Sequence, residues 1–120
     1  MSRARDIANL IGGATPDIIL KTSDGAILNL QTSDTTVTAD SVLGAINFQA
    51  PNEADGTDSI LVASKIEAIA EGAFSASSNA TSLVFSTAAS AAAGTVSGKM
   101  TFTSGGNLII KDTDTADGSS

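Results

Sequence analysis

The feature that most constrains this chain is an internal repeat with a spacing of about 80 residues. Residues 22–25 (TSDG) return as residues 103–106 (TSGG), and the DT pair at residues 34–35 returns at residues 114–115. The apolar residues that follow each turn also correspond, namely Ile27, Leu28 and Leu30 in the first copy and Leu108, Ile109 and Ile110 in the second. Repeated units bury their apolar faces against a neighbour or another copy. The repeat therefore predicts an elongated structural protein, in which residues 107–120 begin a second unit or a linker.

The apolar content of the chain is too small for a well-filled interior. Of its 50 apolar residues 20 are alanine, and Leu, Ile, Val and Phe together make up 28 of the 120 residues. Ordering a residue costs about 1.5 kcal/mol while apolar burial returns about 25 cal/mol per Å², so a single copy should be marginally stable. Identical chains can cover each other's strand edges and apolar faces. We therefore expect a homotrimer with a mainly β shaft.

Charge and missing residue types exclude several classes of function. The net charge is −7, and residues 12–120 contain four lysines but twelve carboxylates. This excess of negative charge disfavours nucleic-acid and membrane partners. The absence of Cys, His, Trp and Tyr removes disulfides, thiolate metal sites, a cysteine nucleophile and a histidine base. No apolar run reaches the ~18 residues of a membrane span, and the N-terminus lacks the apolar region of a secretory signal. If the protein functions outside a cell, we expect it to be released by lysis rather than by secretion.

The N-terminal segment, residues 1–15, is the candidate for binding a partner protein. A serine can cap a short helix over residues 2–13, and a Gly-Gly pair can end it. About three turns of helix are marginal in water, so this helix needs a surface to lie on. An apolar stripe and two arginines predict an anchor whose contact residues are Arg3, Arg5, Ile7, Leu10 and Ile11. The alternative is a frayed terminus or a small lid on its own trimer.

Beyond this segment, residues 16–106 are expected to form a β-rich module in which turn residues separate short strands. The turn signal at residues 23–25 predicts a hairpin of residues 17–22 with residues 26–32. Period-two alternation predicts further strands over residues 42–50, around residues 83–85, and over residues 99–103 and 107–111. Residues 33–41 are a polar stretch, and residues 51–57 are expected to form an exposed loop.

Residues 58–72 are ambiguous between helix and strand. Ala, Glu and Lys are good helix formers, and they dominate residues 65–71. One parity nevertheless holds Ile60, Val62, Ile66, Ala68 and Ala70, while the other holds Lys65, Glu67 and Glu71. This alternation favours a strand over a helix.

Patterns that resemble catalytic or ligand sites are better explained as surface features. The acidic run at residues 112–118 lacks the twelfth-position glutamate of a calcium loop and is interpreted as a solvated linker. Glu67 and Glu71 would need an aromatic-lined sugar cleft to act as a glycosidase pair, so we interpret them as charges for solubility. The Gly pair at residues 105–106 lacks the glycine spacing of a phosphate loop. A Ser/Lys pair stays open, with nothing in its favour. We predict no catalytic residue, no cofactor and no metal, and no enzymatic activity.

Several blocks of the sequence resemble a recurring module of tailed-bacteriophage tail fibres. The resemblance covers residues 28–110. Its blocks are LGAINFQA at residues 43–50, ASKIEAIAEG at 63–72, SLVFST at 82–87, KMTF at 99–102 and SGGNL at 104–108. The opening residues 2–9, SRARDIAN, resemble the N-termini of structural and fibre proteins from marine cyanobacterial phages.

The resemblance implies a homotrimeric fibre whose N-terminus attaches to a tail, adaptor or portal-associated protein of the virion. Its distal part would recognise the host, and host recognition and the trimerising chaperone of related fibres would belong to residues beyond 120. We expect a virion protein that is made in the host cytoplasm and released by lysis. The alternatives are a capsid or head fibre built from the same module, the non-catalytic N-terminal part of a tailspike depolymerase, and a cellular adhesin or filament subunit.

Overall fold

The computed structural model describes residues 18–50, 61–88 and 96–111 of the chain. Within these ranges the polypeptide forms one five-stranded antiparallel sheet and no helix. The strands are β1 (Val42–Gln49), β2 (Val62–Ala70), β3 (Thr81–Ala88), β4 (Val96–Phe102) and β5 (Leu108–Ile110). Their order in the sheet is their order along the chain, so the sheet is a meander of successive antiparallel neighbours. The prediction of a mainly β fold is confirmed.

The ambiguous segment at residues 58–72 contains strand β2, as its alternation predicted. Its helix-forming residues occupy the central part of the sheet, where β2 pairs with β1 on one side and with β3 on the other. Backbone hydrogen bonds to two neighbouring strands outweigh a helix preference of a few tenths of a kcal/mol per residue, about the range of the propensity scale. The strands predicted over residues 42–50, around 83–85, and over 99–103 and 107–111 are also confirmed.

The turn between β4 and β5 has the geometry that its glycines predicted. The Gly106 N–H donates to the Thr103 carbonyl at 3.0 Å, and the Thr103 N–H donates to the Asn107 carbonyl at 2.9 Å. Gly106 has a φ of 82°, which glycine adopts without steric cost. This local geometry reverses the chain and brings β5 alongside β4.

The hairpin predicted for residues 17–32 is wrong for the residues that the structure describes. A turn does occur at residues 23–24, and Gly25 has a φ of 98°, close to that of Gly106 in the second copy of the repeat. Residues 18–22 and 26–32, however, form no strand. An isolated two-stranded hairpin is marginally stable in water. The second copy gains its strands because β3 is there to pair with β4, and the first copy has no such neighbour among the described residues.

The described part of the chain has almost no buried interior. Ala70 is its only buried apolar residue, and no large side chain in it is fully buried. The N-terminal helix predicted over residues 2–13 lies outside the described residues, as do the loop at residues 51–57 and the acidic run at residues 112–118. The trimer, the elongated shape and the boundaries of the three predicted segments stay predictions.

Candidate self-association surface

One face of the sheet carries two rows of mainly apolar residues, and each row crosses all five strands. Residues directly opposite each other on neighbouring strands point to the same face. The first row consists of Ile46, Ile66, Phe85, Met100 and Ile110. The second row consists of Gly44, Ala68, Leu83, Phe102 and Leu108. Phe48, two positions beyond Ile46, extends the same surface. These eleven residues are called the apolar face below.

Much of the apolar face is open to solvent. Six of its side chains expose between 41% and 71% of their surface, namely Ile46, Phe48, Leu83, Phe102, Leu108 and Ile110. The Phe85 and Phe102 rings pack edge to face, with centroids 6.2 Å apart, so part of the surface is ordered by its own contacts. Exposed apolar surface of this extent is typical of interaction sites.

Near one edge of the sheet, the segment before β1 covers part of the apolar face. Gly44 makes this approach possible, because a Cβ at its position would lie 2.7 Å from the Cβ of Leu30. An open cavity of about 250 Å³ remains between this segment and the sheet. It is lined mainly by aliphatic residues, including Leu28, Leu30, Ile66 and Leu83. The segment therefore leaves room for an apolar side chain from another molecule.

The opposite face of the sheet, called the polar face below, carries buried polar residues among apolar ones. The Lys65 ammonium lies 2.7 Å from the Glu67 carboxylate, and Glu67 is only 7% exposed. The interpretation of Glu67 as a charge for solubility is therefore wrong. Strand alternation predicts which residues share a face, but other segments of the chain decide which face is covered.

Glu67, Ser82 and Ser86 are the three buried polar residues of the polar face among the described residues. Ser86 is the most buried of the three. It is 3% exposed, and its Oγ has no hydrogen-bond partner. In the strand register it lies opposite Lys65, which is the closest approach to the Ser/Lys pair left open by the sequence. The Lys65 ammonium is held in its ion pair with Glu67, so this arrangement provides no activated nucleophile.

Glu71 ties three parts of the sheet together at the end of β2. Its carboxylate accepts hydrogen bonds from the Ser104 N–H at 2.8 Å, from the Ser104 hydroxyl and from the Ser82 hydroxyl. These bonds, led by that of the Ser104 side chain, lower the pKa of Glu71 from its ordinary value of 4.5. Ser104 lies 33 positions along the chain, and the sequence contains no signal for this contact. The carboxylate fixes the β4–β5 turn rather than forming a catalytic pair with Glu67.

The predicted anchor residues, Arg3, Arg5, Ile7, Leu10 and Ile11, lie outside the described residues, so their role stays a prediction. In the described ranges, no group of three or more carboxylates is placed to hold a metal ion. None of the described residues belongs to a helix with the length and hydrophobicity needed to span a membrane.

Comparison with known proteins finds neither a matching family model nor a matching curated protein.

Proposed function

We propose that the chain is a self-associating structural subunit, namely the virion-proximal part of a homotrimeric phage tail fibre. Residues 1–15 attach the fibre to a tail, adaptor or portal-associated protein, and residues 16–106 form its first shaft module. Residues 107–120 lead into the next unit, and distal parts of the fibre recognise the host. The protein belongs to the virion, is made in the host cytoplasm, is released by lysis and catalyses no reaction.

The observation that carries the proposal is the exposure of the apolar face. Complete burial of a Leu, Ile or Phe side chain contributes about 1.5–3 kcal/mol. Six side chains of this face are roughly half exposed, so covering them adds about 5–9 kcal/mol per chain. This is as large as the net stability of a typical small domain, about 5–15 kcal/mol. Another copy of the chain supplies the cover without a dedicated partner.

The resemblance to tail-fibre modules supports the more specific part of the proposal. Its blocks follow the strands one by one: the first three overlap β1, β2 and β3, KMTF lies in β4, and SGGNL forms the turn into β5. The blocks of the resemblance therefore extend over all five strands of the sheet. The acidic net charge and the thin interior agree with a solvated shaft built from several chains.

Self-association is tested by the mass of the purified chain in solution. Sedimentation equilibrium and light scattering should both give three chains per particle. A stable, folded monomer at high concentration would contradict the proposal, because the apolar face would then tolerate water.

Attachment to the virion is tested by changing the stripe in residues 1–15. Replacing Ile7, Leu10 and Ile11 together with serine should release fibres from particles while the released protein keeps its trimeric mass. The matched control is Asn9→Ser, at a position that lies on the opposite side of the predicted helix from the apolar stripe, and it should leave attachment unchanged. Antibody labelling of intact particles locates the fibre, and labelling of the capsid instead of the tail would overturn the tail assignment.

The absence of enzymatic activity is tested separately. Incubation of the chain with host surface polysaccharide should release no sugar. Turnover by this chain would contradict the structural role.

A further inference from the structure

Strand β5 leaves one edge of the sheet open. The Asn107 carbonyl accepts a hydrogen bond of 2.9 Å from the residue that follows β4, and the Lys111 N–H donates one of 2.8 Å into β4. Residues of an antiparallel strand direct their N–H and C=O groups alternately to one neighbour and to the other. The N–H and C=O groups of Leu108 and Ile110 therefore point away from β4, and no described strand pairs with them.

This open edge lacks the usual protection against pairing with another chain. Leu108, Ile109 and Ile110 are all apolar and are 51%, 45% and 71% exposed. Natural edge strands are blunted by charges, prolines or bulges. The three residues of β5 contain none of these, so the edge is suited to accept a further strand.

A segment of matching length and chemistry is present earlier in the same chain. Ile18, Ile19 and Leu20 are 67%, 78% and 49% exposed and belong to no strand. With the lysine that follows, they form the sequence IILK at residues 18–21, which is similar to LIIK at residues 108–111. Three consecutive exposed aliphatic residues are costly in water, and pairing along an open edge would cover them.

We propose that residues 18–20 of one copy add to the β5 edge of a neighbouring copy as an antiparallel sixth strand. The inference rests on the proposed self-association and adds a strand-edge contact to the covering of the apolar face. The register pairs Leu20 with Leu108, Ile19 with Ile109, and Ile18 with Ile110.

Charge favours the antiparallel orientation over the parallel one. Antiparallel pairing places Lys21 opposite Asn107, so the two lysines lie at opposite ends of the added strand. Parallel pairing would place Lys21 directly opposite Lys111, and like charges in that position are destabilising.

The added strand extends both faces of the sheet. Leu108 and Ile110 gain partners for their outward N–H and C=O groups. Ile18 and Leu20 extend the apolar face, while Ile19 covers Ile109 on the opposite side. Donor and acceptor are different surfaces of the chain, so the contact is heterologous, and it closes as a ring when three copies donate in turn.

Engineered disulfides test the register directly, because the chain contains no cysteine. Ile19 and Ile109 form a non-hydrogen-bonded pair in this register, with an expected Cα separation of about 4.5 Å. That distance lies within the disulfide range of about 4.4–6.8 Å. Oxidation of the double variant I19C/I109C should shift the product on a non-reducing gel from one-chain to three-chain mass.

The matched control variant is K21C/I109C. Lys21 lies two positions further along the proposed strand, which takes its Cα to roughly 8 Å from that of residue 109, outside the disulfide range. This control should remain at one-chain mass under the same oxidation. Equal cross-linking of both double variants would overturn the register.

The solution mass of the reduced double variant separates failure of this inference from failure of the proposed function. A three-chain particle without the 19–109 cross-link would overturn the strand addition and leave self-association intact. A one-chain particle would overturn both. An internal disulfide within one chain would show that the segment pairs with its own sheet, and a closed two-chain product would overturn the three-fold ring.

Discussion

Replacing Phe48 with serine should weaken assembly far more than it changes the folded chain. Phe48 belongs to the apolar face and is 53% exposed. Complete burial of a phenylalanine contributes about 1.5–3 kcal/mol, so covering the exposed half contributes roughly 0.8–1.6 kcal/mol per chain. Three copies lose about 2–5 kcal/mol together. At about 1.4 kcal/mol per factor of ten, the dissociation constant of the trimer should rise roughly 30- to 4,000-fold.

Sedimentation equilibrium over a wide range of protein concentration measures this change. The matched control is Asn47→Ser, because Asn47 is the next residue of β1 and lies opposite Lys65 on the polar face. This substitution should alter the free energy of assembly by less than about 0.5 kcal/mol, as exposed positions usually do. Equal dissociation constants for F48S and the unaltered chain would refute burial of the apolar face between copies.

Three further predictions concern the folded chain. Glu71→Gln should lower the melting temperature at neutral pH. Because hydrogen bonds from Ser104 depress the pKa of Glu71 below 4.5 in the folded chain, the difference in melting temperature between the two proteins should shrink as the pH falls through that folded-state pKa. A difference that does not change with pH would contradict this. Gly106→Ala should cost about 1–2 kcal/mol by urea unfolding, since φ is 82° and nothing crowds the new methyl group, whereas Gly106→Asn should cost less. Gly44→Ala should lower the free energy of unfolding by about 1–3 kcal/mol, because the new Cβ would meet Leu30. In a double-mutant cycle, L30G should reduce that loss. Strictly additive values would argue against the contact.

The strands themselves could be predicted because alternation is a local property. Ile46 and Phe48 in β1, and Met100 and Phe102 in β4, share a face in the structure as their spacing indicated. The same logic correctly preferred a strand where Ala, Glu and Lys favoured a helix at residues 65–71. Side chains alternate between the two faces of any extended segment, whatever that segment packs against.

The candidate site could be predicted only in part. The shortage of large apolar residues led to the expectation of a shared interior, and the exposed side chains of the apolar face agree with that reasoning. The burial of Glu67 was missed because the covering of a face depends on residues distant in sequence. The hydrogen bonds that Glu71 accepts from Ser82 and Ser104 were missed because they also depend on the arrangement of strands.

The two copies of the repeat separate what the sequence determines from what the tertiary structure decides. The turns follow from the sequence alone. Gly25 and Gly106 both adopt a positive φ, which glycine can do at no steric cost because it has no Cβ. Tertiary structure decided whether strands formed around each turn. Residues 100–102 pair with β3 and become part of the sheet, whereas residues 18–22, with no described strand to pair with, do not. A turn needs only its own residues, but a strand needs a partner for its backbone hydrogen bonds.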